Sequence, residues 1–149
     1  MREEVVVVIA GILKEKGGKL LSVPPHAPIT DVVQMLATNR IGAVLVVSAS
    51  GALEGILSER DVVRSLAENG AGTLDRTAAD LMTSTVTTAT PQTTVAAAME
   101  LMTAGRFRHV PIMDEGRLVG LVSIGDVVKA KIANAEQEVD SLRAYVVGA

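Results

Sequence analysis

A mixed α/β (α+β) fold built from two copies of one β-α-β-β-α unit is what this sequence predicts, and three observations carry that expectation. Gly55-Ile-Leu-Ser58-Glu-Arg-Asp61 and Gly120-Leu-Val-Ser123-Ile-Gly-Asp126 spell the same Gly-x-x-Ser-x-x-Asp pattern 65 residues apart. Apolar residues at helical spacing occur at Ile29, Val32, Val33 and Leu36 and recur 66 residues on, at Val95, Ala98, Met99 and Met102. A Pro-marked extended stretch precedes each of those helices, residues 20–25 in one copy and 86–91 in the other, with Pro25 matching Pro91.

The remaining elements follow in order. Ala43 to Val47 and Arg108 to Met113 are β-branched or apolar runs that suit buried strands. Gly51 and Gly116 then mark hairpin turns into strands that end at the two motifs, and each motif opens an amphipathic helix. The offset falls from 66 to 65 between the strands, which places the extra residue in a hairpin loop; a slip inside a strand would turn its core face outward. Asn69 to Leu74 is Gly-rich and reads as a helix exit and linker, and Asp75 to Thr83 has room for a short helical turn. At the front, the run from Val5 to Leu13 combines a β-branched start with a helix-end signal at Lys14, Lys16, Gly17 and Gly18, and we read it as a short buried helix. At the back, Val128, Ile132, Ala135, Val139, Leu142 and Val146 alternate steps of four and three, a heptad-type seam free to lie along the body or to pair with another chain. The expected boundaries are a lead segment over 1–19, repeats over 20–74 and 75–134, and a helical extension over 135–149. Each repeat alone is small for an independent core, so the two are expected to pack together.

Composition narrows the function classes. Hydrophobic residues make up 48% and charged ones 21%, enough apolar material for a buried core. Phe107 and Tyr145 are the only aromatic residues, so no stacking platform for single-stranded nucleic acid exists, and a net charge of −3 without a basic block argues against nucleic-acid binding altogether. The absence of Cys removes disulfides, Cys-based metal sites and cysteine nucleophiles, and fits a reducing cytoplasm. No apolar run reaches the length of a membrane span, and the start of the chain lacks the basic region of a secretory signal.

The doubled motif carries the chemistry. At a strand-to-helix junction the free N–H groups and positive dipole end of the helix favour an anion, the Ser hydroxyl adds a donor, and the Asp can accept from sugar hydroxyls. The same Ser-x-x-Asp is also a helix capping box, in which the Asp folds back onto the start of its own helix. No catalytic set assembles around it. Two His residues 83 positions apart, no Cys, and no phosphate-binding glycine loop leave no nucleophile and base to pair, so the chain is read as no enzyme and as binding no metal.

Taken together, these residues resemble a CBS domain pair, or Bateman module. Ser58-Glu59-Arg60-Asp61 matches the family's Thr/Ser-Glu-Arg-Asp run, and Ile41-Gly42-Ala43 and Arg108-His109-Val110-Pro111 resemble its second-strand entries. The likeness covers nearly the whole chain, as in a stand-alone pair. The resemblance implies two repeats related by pseudo-twofold symmetry, with clefts that take adenosine compounds such as AMP, ADP, ATP, NAD(H) or S-adenosylmethionine. It implies that Asp61 and Asp126 hold ribose hydroxyls, that Ser58 and Ser123 face phosphate, and that Arg108 and His109, near Pro111, approach phosphate; Arg60, on the first turn of its helix, is a further candidate for a phosphate neighbour. Ser22 and Val23, and Thr88 and Ala89, would line the adenine pockets. Gly125 stands where the first copy has Arg60, and Gly42 and Ala43 stand where the second has Arg108 and His109, so the two sites are expected to differ. A homodimer and an unidentified regulated protein are the implied partners. The alternative is a structural or interaction module whose Asp residues only cap helices.

Overall fold

In a computed structural model, which describes residues 6–17 and 20–148, the first copy of the unit is complete and the second has a single bridge in place of its first strand. The elements are α1 (Ile9–Lys16), β1 (Ser22–Val23), α2 (Ile29–Asn39), β2 (Ala43–Val47), β3 (Leu53–Ser58), α3 (Glu59–Asn69), a 3-10 helix (Gly70–Asp75), α4 (Ala78–Leu81), α5 (Val95–Gly105), β4 (His109–Asp114), β5 (Arg117–Ser123) and α6 (Ile124–Gly148). Gly51 and Gly116 take positive φ, 88° and 78°, at the two hairpin turns, as their positions require.

The chain divides into two compact units, and neither is a continuous repeat. One, called here the α6 unit, combines the N-terminal arm with Thr88–Asp114 and the chain from Gly120 onward; the other, the α3 unit, takes the segment between that arm and Thr87, together with Glu115–Val119.

In the α3 unit the sheet order is β1-β2-β3, with β1 parallel and β3 antiparallel to β2. Strand alternation sorts its residues. Val23, Val44, Val46 and Leu57 join Ile29, Val32 and Leu36 of α2, Val62 of α3 and Ala78 of α4 in one apolar core. The opposite face carries Ser22, Leu45, Ala43, Ile56 and Ser58 in register. Within α2 the expected four-residue stripe is narrower than its spacing suggested: Ile29, Val32 and Leu36 are buried, but Val33 is 37% exposed. In the α6 unit Val95, Ala98 and Met102 are buried and Met99, at the position matching Val33, is only partly so.

Three expectations are corrected. The helix at the front starts at Ile9 and runs to Lys16, because the β-branched run before it is extended at Val8, which pairs with Thr94; Val5 and Gly18 lie outside the described residues. The Gly-rich stretch after α3 is no linker but the 3-10 helix, held by a buried Ser65 Oγ–Thr73 Oγ1 hydrogen bond of 2.8 Å. The first strand expected of the second copy, within residues 86–91, is only an isolated bridge, Ala89 with Ile112, while the neighbouring bridges, Val8 with Thr94 and Thr83 with Ile56, belong to two arms, residues 7–16 and 76–83, that pack on the units.

Those arms are the main feature that positions the motifs. In the α3 unit Ala78 N donates to Ala27 O and Ala79 N to Pro25 O, both at 2.8 Å, and Ile29 N donates to Arg76 O. In the α6 unit Ile9 N donates to Thr93 O, Ala10 N to Pro91 O at 2.8 Å, and Val95 N to Val7 O. The acceptor and donor positions correspond one for one between the units. Each unit is therefore completed by the segment that precedes the other repeat in sequence.

Candidate functional site

At the α3-unit motif, Ser58 ends β3 in extended conformation (φ −105°, ψ 161°) and caps α3. Asp61 N donates to Ser58 Oγ at 3.3 Å, while Ser58 N and Ser58 Oγ donate to Asp61 Oδ2 at 2.9 and 3.0 Å. The capping box is formed, and all of its bonds to the carboxylate fall on one oxygen. Asp61 Oδ1 faces Arg64 Nη1 at 3.7 Å, a contact to a side chain 62% exposed and so of little energetic weight. A carboxylate has roughly four lone-pair sites, so capping through Oδ2 leaves acceptor capacity on Oδ1. Capping and sugar binding are compatible here. Arg60 is exposed on the first turn of α3.

The α6-unit motif has the same cap and one more partner. Ser123 N donates to Asp126 Oδ2 at 2.9 Å, and Asp126 N donates to Ser123 Oγ at 3.1 Å. Lys16 Nζ, from the last turn of α1, lies 2.7 Å from the same Oδ2 and donates to Leu121 O at 2.9 Å. Partial burial pushes the Asp126 carboxyl up, but the Lys16 ammonium and the bonds from Ser123 outweigh it and hold the group below its ordinary value of 3.8.

The motif glycines explain how the arms reach these junctions. A Cβ on Gly55 would stand 2.7 Å from both Met82 Sδ and the Thr83 carbonyl oxygen. A Cβ on Gly120 would collide with Leu13 Cδ2. At Gly55 glycine is thus required by close approach of the arm's backbone, not by backbone angle, whereas at Gly120 only the end of the Leu13 side chain comes near. The arms then diverge. After the four-residue α4, Thr83 exchanges backbone hydrogen bonds with Ile56, at 2.9 and 3.0 Å. The eight-residue α1 continues instead as helix, and the carbonyl of Leu121, the counterpart of Ile56, accepts from the Lys16 side chain.

The other expected site residues fall into place around the sheets. Ser22 pairs with Leu45 on one side of β2 and Ser58 pairs with Ala43 on the other, so the two serines share a sheet face, two strand spacings across and two residues along, about 12 Å apart. A shallow pocket lined by Ser22, Val23, Pro25, His26, Val47 and Ser48 lies toward the far end of β2 and does not include Ser58 or Asp61. Val23 is 4% exposed and faces the core, so its backbone is the part next to that pocket. In the α6 unit Ala89 N donates to Pro111 O and Met113 N to Ala89 O, at 3.0 and 2.8 Å. Parallel pairing then turns the N–H and C=O of Thr88 away from β4, and those of Ser22 away from β2. Pro111 is buried, His109 half-buried, and Arg108 exposed with its carbonyl accepting from Ile124 N at 2.8 Å. Arg108 and His109 are neighbours along the backbone that differ in burial. Sequence reasoning missed Lys16, a partner 110 positions away from Asp126. The signal that points to it is the pair of matched glycines, each of which demands a close neighbour.

Among the described residues no cluster of His, Asp and Glu suits a metal ion, and no helix is long and apolar enough to cross a membrane. The family model for the CBS domain matches the chain twice, at residues 14–68 and 78–133. The mitochondrial CBS domain-containing protein CBSX3 of Arabidopsis thaliana is 35% identical over 94% of this chain and 72% of its own length. Among solved structures, a CBS-domain containing protein from Agrobacterium tumefaciens superposes with TM-score 0.82 at 39% identity, covering 88% of this chain and 98% of that one. A CBS domain protein from Pyrobaculum aerophilum, complexed with AMP, superposes with TM-score 0.72 at 29% identity, covering 80% and 89%. With two matches of the family model, one on each repeat, the chain belongs to the CBS domain family as a tandem pair.

Proposed function

We propose that this CBS pair is a regulatory module that binds an adenosine nucleotide, of the AMP, ADP, ATP or NAD(H) type, and passes that occupancy to a protein partner without catalysing a reaction. The observation that carries the reading is the arrangement in the α3 unit. An edge strand offers the outward N–H and C=O of Ser22, and about 12 Å away on the same sheet face a helix N-terminus offers Ser58 and the Oδ1 of Asp61, which the cap leaves to the exposed Arg64. That spacing suits an adenosine with its base at the strand edge and its ribose at the Asp. Binding of AMP by the Pyrobaculum aerophilum relative supports the ligand class. In the α6 unit Thr88, Ser123 and Asp126 are assigned the same roles, with Arg108 and His109 toward phosphate. The signal is read as a shift between conformations, limited by how much better the nucleotide binds one than the other. A homodimer in a reducing compartment such as the cytoplasm completes the reading.

Mass analysis of small molecules released from the purified protein, followed by melting in their presence, tests it. A ligand at 100 times its Kd adds about 2.7 kcal/mol of stability, a readily measured rise in Tm. If millimolar AMP, ATP and NADH all leave Tm unchanged, the ligand reading fails and the capping boxes are structural only. Turnover of the bound nucleotide would contradict the non-catalytic part alone.

A further inference from the structure

The last helix, α6, is 25 residues long, far longer than its counterpart α3 with 11. Its outer part carries an uncovered apolar stripe. Val128 is 40% exposed, Ile132 54%, Val139 48%, Leu142 45% and Val146 68%, with Ala135 exposed between them. Such a stripe on a surface helix costs solvation free energy unless something covers it.

The residues along and beside the stripe specify a cover. Written as heptads, Ile132, Val139 and Val146 occupy the a positions and Val128, Ala135 and Leu142 the d positions. Every a residue is β-branched, the preference of parallel two-stranded coils, and Leu142 supplies the γ-branched residue that such coils favour at d. The flanking e positions are Lys129, Glu136 and Arg143, and the g positions are Lys131, Glu138 and Tyr145. In a parallel, in-register pair each g residue meets the e residue five positions on in the other helix. Lys131 then faces Glu136 of the second copy, and Glu138 faces Arg143, so both charged pairs attract, each occurring twice by symmetry. The antiparallel arrangement that overlaps the whole stripe, with Val128 opposite Val146, does the reverse. It sets Glu136 against Glu136, Glu138 against Glu138, and Lys129 against Arg143.

We propose that the exposed face of α6 is covered by the same helix of a second copy of this chain, as a short parallel, in-register coiled coil running from Val128 to Val146. The coil is independent of whether the motifs hold nucleotide. Lys131, whose Nζ lies 4.0 Å from Met99 Sδ of α5, gives up only that weak contact to reach Glu136.

The test uses the full chain. Sedimentation should show a dimer, weakened about tenfold by Glu136→Lys and restored by the double change Lys131→Glu with Glu136→Lys, because the pair is attractive again with its signs exchanged. Since the sequence has no Cys, Ala135→Cys and Leu142→Cys give single thiols, and mild oxidation should link like to like at both d positions. In the antiparallel arrangement Ala135 lies across from Val139 and Leu142 from Ile132, and neither thiol meets its equal. A monomer at all concentrations, a dimer indifferent to Glu136→Lys, or failure of homotypic linkage at either position would overturn the proposal. All these side chains are exposed, and unchanged circular dichroism confirms that each variant remains folded.

Discussion

The motifs at Ser58–Asp61 and Ser123–Asp126 match at Gly, Ser and Asp and form the same cap, yet their carboxylates meet different surroundings. Among the described residues Asp61 is bonded by its own helix start and approached by an exposed Arg64, whereas Asp126 also holds Lys16 at 2.7 Å. The cause lies outside the motifs. The arm α4 has four helical residues and finishes by backbone pairing at Ile56, while α1 has eight and finishes with a lysine on Leu121 O and Asp126. A repeat can thus be made unequal by the length of the segment that packs on it, with its signature residues intact.

The largest expected effect breaks the packing half of that comparison. Gly55→Ala pushes a methyl into a backbone carbonyl and should destabilise the protein by about 3 kcal/mol, whereas Gly120→Ala meets only the movable end of Leu13 and should cost about 1 kcal/mol. Urea unfolding of the two variants gives the ranking directly, and equal costs would mean that the two arms dock alike. Next in size are the carboxylates. Asp61→Ala and Asp126→Ala should each lower nucleotide affinity at their own motif by about 1 to 3 kcal/mol, roughly 5- to 150-fold, through loss of a charged acceptor.

Smaller still is the effect of Lys16. Lys16 bonds the capping oxygen Oδ2, and its positive charge weakens Oδ1 as an acceptor for ribose, so Lys16→Met should strengthen binding of uncharged adenosine at that motif by about two- to fivefold, leaving the Asp61 motif unchanged. Calorimetry with adenosine reads this change, and weaker binding in the variant would mean that Lys16 aids the ligand. The smallest effect is on stability against pH. The depressed Asp126 pKa makes its pairing fully stabilising above the ordinary value of 3.8, with loss as pH falls through the lower folded value. Because Lys16 and Asp126 are 43% and 24% exposed, the share removed by Lys16→Met at neutral pH is well under about 1 kcal/mol and should disappear on acidification below 3.8.

Much of this was legible in the residues themselves. Ala43–Val47 is a strand with the expected ends, the hairpin glycines sit at positive φ, and Pro25 and Pro91 occupy matching places at which an arm hydrogen bond is received. These features are local, or repeat in register, and a single chain reveals them. The exchange of arms was not legible, because it depends on pairs such as Ile9 with Thr93 and Ala78 with Ala27, whose short sequences carry no shared signature. Lys16 was read only as a helix-end residue, which it is; its distant acceptor follows from three-dimensional packing. The Gly-rich exit after α3 misled because Ser65 and Thr73, two small hydroxyl residues, bury their mutual hydrogen bond and hold a 3-10 turn that composition alone does not favour.

The central claim, an adenosine nucleotide held at two unequal motifs, is tested most directly by titration calorimetry of AMP into the unmodified protein and into Asp61→Ala and Asp126→Ala. The account predicts two binding events of different affinity, each weakened by the substitution at its own motif and untouched by the other. Unchanged binding in both variants, or no heat for any adenine nucleotide at millimolar concentration, would contradict it.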